Sequence, residues 1–282
     1  DDDYFNIPVW NPAYKHYEGK GQDLVNFYKL SDAMMVTTPH LSKLVSQYNS
    51  KTYVVPNSLD IDMLDRLKKM GEIEKNKHTQ YLTVDQKRLT YEEAKLKMSG
   101  KTVIGWGGSP THLRDLEQAT EALLKLTGEN KDIMVVMMAC TTDTILKKIN
   151  PNQLLLVKPV PIFMYPQVLA SMSWDIGICP IEDNLFNRSK SNLKFLEFSI
   201  NGFACVCSNV ENYAKTVTHG VDGLLADNTT SSWYSNLKKL VEDIEFRKQI
   251  AKNGDELVRT KFAMSENYKL WVDVYLDLLK ER

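Results

Sequence analysis

Charge of one sign is what this sequence most plainly lacks. Its 282 residues carry 35 Lys and Arg against 36 Asp and Glu, a formal net charge of −1. A basic field is what holds a polyanion, so nonspecific nucleic-acid binding is not indicated. Long hydrophobic runs are also missing: no apolar stretch approaches the roughly 20 residues that cross a bilayer. Cysteine is scarce, and Cys140, Cys179, Cys205 and Cys207 all fall in apolar, strand-like runs. Cys205-Val-Cys207 puts two thiols on one strand face but has no zinc spacing. The four read as buried free thiols of a reducing compartment, which places the protein in the cytoplasm. Internal repeats and low-complexity tracts are absent.

What remains is an ordinary globular composition, 43% hydrophobic and 25% charged, on a chain long enough for about two domains. From residue 101 the pattern is regular. Apolar strands at 102–104, 133–139, 154–157, 176–179, 204–207 and 223–225 alternate with helical stretches at 113–127, 142–149, 164–173, 191–201, 211–218, 231–240 and 242–260. That alternation predicts an α/β fold, a parallel sheet with helices on both faces. Ligands of such sheets sit at the carboxyl ends of the strands. Residues 1–60 read as an aromatic loop, a helix at 21–30, a strand at 33–38, a helix at 39–48 and a strand at 52–57. Residues 61–100 are a charged connector with one or two exposed helices. A last amphipathic helix spans 265–280, with Tyr268, Trp271, Val272, Tyr275, Leu278 and Leu279 on its apolar face.

Two motifs carry chemistry. Asn187-Arg-Ser-Lys-Ser-Asn-Leu-Lys-Phe-Leu-Glu197 puts Arg188, Lys190 and Lys194 around a helix start and one carboxylate, Glu197, further in. Spare N–H groups and cations at a helix start suit an anion, and one glutamate can accept from both hydroxyls of a ribose. A nucleotide fits that pairing; the plain alternative is an amphipathic helix with a solvated basic end. Lys101-Thr-Val-Ile-Gly-Trp-Gly-Gly-Ser-Pro-Thr-His112 reads as a strand, a glycine-rich turn and a helix start capped by Ser109 or Thr111. It has neither the P-loop spacing nor a complete G-x-G-x-x-G.

With those residues in order, the chain resembles the GT-B glycosyltransferases, and within them the retaining family 4 group that transfers sugars from nucleotide-sugar donors. Tyr53-Val-Val-Pro-Asn-Ser-Leu-Asp60, Val103-Ile-Gly-Trp-Gly-Gly-Ser109, Leu169-Ala-Ser-Met-Ser-Trp-Asp-Ile-Gly-Ile-Cys-Pro180, Leu196-Glu-Phe-Ser-Ile-Asn-Gly-Phe-Ala-Cys-Val-Cys-Ser208 and His219-Gly-Val-Asp-Gly-Leu-Leu225 carry the likeness, over about residues 30–282. The resemblance implies two GT-B-like Rossmann domains. Here 1–60 would be the remainder of an acceptor-side domain, 61–100 the connector, 101–260 the donor domain, and 261–282 a helix packing back on the N-terminal part.

The resemblance also implies roles. Glu197 would bind the donor ribose. Gly107, Gly108 and Ser109 would pass close to the phosphates. Asn192, Leu193 and Lys194 would offer backbone N–H groups, and residues 158–162 would meet the base. His112 is a donor-phosphate or sugar contact, or a surface histidine. No cofactor or metal is expected, the nucleotide-diphosphate-sugar being a substrate; the acceptor and the catalytic residues are not identified.

Departures from the pattern sharpen these expectations. The family pairs two glutamates eight apart, but Ser189 stands at the first place. The family's cations near the glycine loop are missing, leaving Arg188, Lys190, Lys194 and Arg114 to offset the diphosphate. The chain opens at Asp1 without methionine and with little of a first domain, which gives the expectation of a truncated or cleaved enzyme whose missing N-terminal segment would be a partner. A catalytically inert nucleotide- or glycan-binding module is the alternative reading. A dinucleotide oxidoreductase is opposed by the broken glycine fingerprint.

Asp1-Asp2-Asp3 reads as a loop acid facing the cleft or a frayed terminus rather than a metal ligand set. Trp106 is a core residue or a stacking platform. Tyr4, Phe5, Trp10, Tyr14 and Tyr17 line an acceptor site or pack on a missing half-domain. Met34, Met35, Met134, Met137 and Met138 read as core filler.

Overall fold

The computed structural model describes residues 2–280. Among them, ten strands form two sheets. β1 (Met34–Val36) and β2 (Thr52–Val54) make a small parallel pair joined through the Pro39–Val45 helix. The large sheet holds β3 (Tyr81–Leu82), β4 (Arg88–Leu89), β5 (Thr102–Gly107), β6 (Ile133–Met138), β7 (Leu154–Val157), β8 (Ile176–Cys179), β9 (Ala204–Ser208) and β10 (Leu224–Ala226). Its order is β10-β9-β8-β5-β6-β7-β3-β4. β5 to β10 run parallel, and β3 and β4 add an antiparallel edge beyond β7. Two β-α-β-α-β halves thus diverge from the neighbouring β5 and β8, the doubly wound arrangement whose crevice lies where the order reverses.

The sequence explains the burial. All six side chains of β6 (IMVVMM) are buried, as a strand covered on both faces requires. The Leu113–Glu129 helix buries Leu116, Ala119, Leu123 and Leu126, one stripe at helical spacing. Gly105 admits the Trp174 ring: a Cβ there would stand 1.8 Å from Trp174 Cδ2. Met134, Met137 and Met138 are core residues, whereas Met34 and Met35 are only partly buried.

Four expectations need correction. Residues 61–100 hold three helices, Ile61–Lys69, Glu72–Asn76 and Tyr91–Met98, and also supply β3 and β4; strands of two residues are too short to show a period. Neither Ser109 nor Thr111 caps the helix after β5. A 3-10 turn, Pro110–His112, intervenes, so His112 stands at the cap position, while the two hydroxyls bond each other at 2.6 Å. Cys140 lies just beyond β6 and is partly exposed; the other three thiols are buried in β8 and β9. The last helix, Met264–Lys280, begins where Leu59 pairs with Ala263 and reaches Tyr53, whose hydroxyl bonds Asp277. Its apolar face, however, is largely in solvent: Tyr268, Trp271, Val272, Tyr275 and Leu279 are exposed and only Val274 is buried. No helix among the described residues is long and apolar enough to cross a membrane.

Candidate functional site

A cavity of about 360 Å³ opens where β5 and β8 part, within the range of small-molecule sites. Asp2, Asn11 and Asn57 reach it from the N-terminal part. Thr111, His112 and Asp115 follow β5, Pro180 and Ile181 follow β8, and Lys190, Ser191, Leu193, Lys194 and Glu197 come from the segment before β9. The two motifs singled out in the sequence therefore meet across the switch point.

Half of the ten anticipated donor residues line the cavity: His112, Lys190, Leu193, Lys194 and Glu197. Leu193, Lys194 and Glu197 sit on the Leu193–Ile200 helix, with Lys194 in its first turn. Lys194 Nζ donates to the carbonyl oxygen of Gly107 at 2.7 Å and lies 4.9 Å from the centre of the Trp106 ring. Trp106 itself is fully buried, a core residue as its size suggests. Among the described residues no carboxylate lies within ion-pair distance of Lys194. Burial lowers its pKa, against the charges of Cys179, Asp115 and Glu197. Lys190 is also lowered by burial; its ammonium is 3.9 Å from Asp115 Oδ2 and 4.7 Å from the centre of the Phe186 ring.

Glu197 lines the same cavity and feels the charge of Lys194. Burial pushes its carboxyl up to about 7, the Tyr165 hydroxyl and Lys194 acting the other way. Tyr165 donates to Glu197 Oε2 at 3.1 Å. On the β5 side, His112 Nδ1 and Asp115 Oδ2 are 2.8 Å apart. Asp115 Oδ1 accepts from the backbone N–H of Glu182 at 2.9 Å and from Asn187 Nδ2 at 2.8 Å. Burial would raise the Asp115 carboxyl, but His112, Lys190 and the Glu182 amide outweigh it and hold the group below the usual range. Burial lowers His112, and the charges of Lys194 and Lys190 add to that, against the bond to Asp115. At neutral pH the site thus holds an ionised Asp115, a neutral His112 and two lysines.

Gly107, Gly108, Ser109, Arg188 and Asn192 do not line the cavity. Arg188 belongs to a separate short helix, Leu185–Ser189, where it makes a two-pronged contact with Asp183 at 2.7 and 3.0 Å and lines a neighbouring cleft. Asn192 turns to that same cleft and donates to Thr216. Ser109 is exposed and Gly108 partly so; a Cβ at Gly108 would come 2.7 Å from Trp106 Cζ2. Residues 158–162 follow β7 and do not line the cavity, and Ile162 is exposed. Arg114 stands 3.6 Å from Glu182 and 5.0 Å from the centre of the Trp10 ring, outside the cavity lining.

Ser189, where the resemblance led to the expectation of a glutamate, is fully buried. Its hydroxyl accepts from the Asp3 amide and donates to Phe186 O, and its carbonyl accepts from Thr38. Asp1 lies outside the described residues. Asp2 lines the cavity, and Asp3 is buried, accepting from Phe5 N and Asn6 Nδ2. No cluster of three potential metal ligands exists among the described residues. The aromatic loop packs on this chain's own elements: Tyr4 stacks on Tyr17, and Phe5 meets Tyr28 and Tyr48.

Sequence reasoning missed Asp115, Asn187 and Tyr165. Asp115 was within reach, since a histidine three residues before an aspartate shares a helix face with it. Tyr165 was not, because 32 residues separate it from Glu197.

No family model matches the chain, and no curated protein matches its sequence. Solved structures do. A glycosyltransferase of Rickettsia africae is similar over all of this chain and 70% of its own length, with a TM-score of 0.68 at 14% identity. HepE of Anabaena, crystallised with UDP and glucose, is similar over 90% of this chain and 66% of its own, with a TM-score of 0.68 at 14% identity. Sucrose-phosphate synthase of Thermosynechococcus elongatus is similar over 97% of this chain and 65% of its own, with a TM-score of 0.64 at 13% identity. The chain thus spans about two thirds of the length of these structures. The likeness is one of fold: the chain has the GT-B-type α/β architecture that these glycosyltransferase structures share.

Proposed function

We propose that this chain is a glycosyltransferase that takes its sugar from a nucleoside-diphosphate-sugar donor bound in the β5/β8 cavity. The carrying observation is Lys194. A partly buried ammonium whose one hydrogen bond goes to a carbonyl, with no carboxylate in range, calls for an anion in the cavity. Lys190 stands beside the same space. Two such cations suit a diphosphate, and charge-assisted bonds to phosphate are about twice as strong as neutral ones.

The division of labour follows from the geometry. Lys190 and Lys194 offset charge developing on the departing diphosphate, an electrostatic contribution made by groups already in place. Glu197, oriented by Tyr165, accepts from the ribose hydroxyls and fixes the donor. The transfer proceeds with retention and without a metal, as the resemblance to the retaining family 4 enzymes implies. The four free thiols support a reducing compartment, the cytoplasm.

Calorimetric titration with UDP, GDP, CDP and ADP tests this. One diphosphate binds in the micromolar range and loses that affinity in Glu197→Ala; no binding by any of the four overturns the proposal. One observation favours a second reading, an inert binding module: the buried Ser189 hydroxyl leaves no carboxylate where related enzymes carry their first glutamate. Sugar transfer or donor hydrolysis that Glu197→Ala abolishes would eliminate it.

A further inference from the structure

We infer that His112, held in one tautomer by Asp115, accepts a hydrogen bond from a hydroxyl of the transferred sugar and is a specificity-determining residue of the donor site. This rests on the nucleotide-sugar reading above.

Asp115 is 1% exposed and receives three protein donors: His112 Nδ1, the Glu182 amide and Asn187 Nδ2. Lys190 adds a positive charge 3.9 Å away. An ionised carboxylate only accepts, so the His112 nitrogen facing it must carry the hydrogen. A neutral imidazole has one donor and one acceptor, which makes Nε2 the acceptor. Nε2 has no hydrogen-bond partner among the described residues, and His112 lines the cavity. The reverse tautomer would set the Nδ1 lone pair against Asp115. A second proton is opposed by burial and by both lysines.

A neutral acceptor is the wrong partner for phosphate oxygens, which are acceptors themselves. It needs a hydroxyl. Glu197 reaches the cavity from the helix before β9 and His112 from the turn after β5, while Lys194, on the Glu197 helix, donates across to the Gly107 carbonyl at the end of β5. Lys194 thus bridges the element that carries Glu197 and the β5 end that leads to His112. A ligand with its ribose at Glu197 and its phosphates at the lysines presents its sugar towards His112. Asp115 does not touch that sugar; it is a positioning residue.

The test compares the nucleoside diphosphate that binds in the panel above with its glucose conjugate, in the native chain and in His112→Leu. The expected result is diphosphate affinity within about threefold of native and sugar-nucleotide affinity reduced by about tenfold, the value of one neutral hydrogen bond. His112→Gln, which keeps an acceptor, should recover part of the loss. An equal loss for both ligands would make His112 a phosphate contact and overturn the inference, as would an unchanged sugar-nucleotide affinity. Asp115→Asn removes a buried carboxylate and threatens the fold, so the tautomer is read on the native chain by ¹⁵N NMR of His112. An Nδ1-protonated ring supports the inference, and an Nε2-protonated or doubly protonated ring overturns it. Absence of any nucleotide binding is a distinct outcome, which overturns the donor reading itself and this inference with it.

Discussion

The Tyr165 hydroxyl donates to Glu197 Oε2 at 3.1 Å, joining the helix after β7 to the helix before β9. That bond favours the ionised form of a carboxyl which burial otherwise drives up to about 7. Tyr165→Phe should raise the Glu197 pKa further. Nucleotide affinity, if it depends on the Glu197 carboxylate, then falls several-fold at pH 7 and recovers towards native by pH 9. Calorimetry across that range checks it, and a pH-independent loss would contradict it.

Glu197 also links stability to pH. Its ordinary value is 4.5 and its folded value about 7, so the folded state resists ionisation. Stability is lost as pH rises through that window, by at most roughly 3.4 kcal/mol. Glu197→Gln should therefore melt near the native temperature at pH 4 and above it at pH 8. Thermal melts at the two values decide this.

Asp65 and Arg259 behave in the opposite sense. Arg259 Nη1 and Nη2 donate to the Asp65 oxygens at 2.8 and 2.7 Å, tying the Ile61–Lys69 helix to Ile244–Lys261. The hydrogen bonds from Arg259 lower Asp65 from 3.8 to about 2. The stabilisation is present above pH 4 and lost as pH falls towards 2. Asp65→Asn should cost about 1 kcal/mol at neutral pH, and the difference from native should vanish in acid. Urea denaturation at pH 7 and pH 2.5 measures it.

Glycine substitutions should split sharply. Gly105→Ala drives a methyl into the Trp174 ring at 1.8 Å, next to the core of the large sheet; we expect severe loss of folded protein. Gly128 lies in the Leu113–Glu129 helix with nothing within 4 Å of its Cβ position. Gly128→Ala should stabilise by about 0.5–1 kcal/mol. Melting temperatures of the two variants provide the check.

Lys194→Met removes the cation while keeping a chain of similar length. Diphosphate affinity should drop by about tenfold or more, with stability unchanged or improved, because a partly buried ammonium no longer has to be desolvated. A loss of stability equal to the loss of binding would point to a structural role.

Legibility followed the range of the signals. The β6, β7, β8 and β9 runs were readable because strands buried on both faces are continuously apolar and bounded by turns. The Leu113–Glu129 helix was readable from its stripe. Lys190, Lys194 and Glu197 were readable together because one short segment carries all three. What escaped was set by contacts between distant segments. β3 and β4 exist as strands only because β7 offers an edge to pair with. The Asp115 environment is assembled from Glu182 and Asn187, far along the chain. Arg188 looked equivalent to Lys190 by position, but Asp183 turns it away.

Ser189 has a last consequence. Its hydroxyl and carbonyl hold the Asp3 amide and the Thr38 side chain, so a single buried residue latches the N-terminal part onto the sheet beside the cavity. Swinging the two parts open would exchange those bonds for bonds to water, at a net cost of about 0.5–1.5 kcal/mol for each. Any separation of the two parts must therefore begin at Ser189, where both bonds break together.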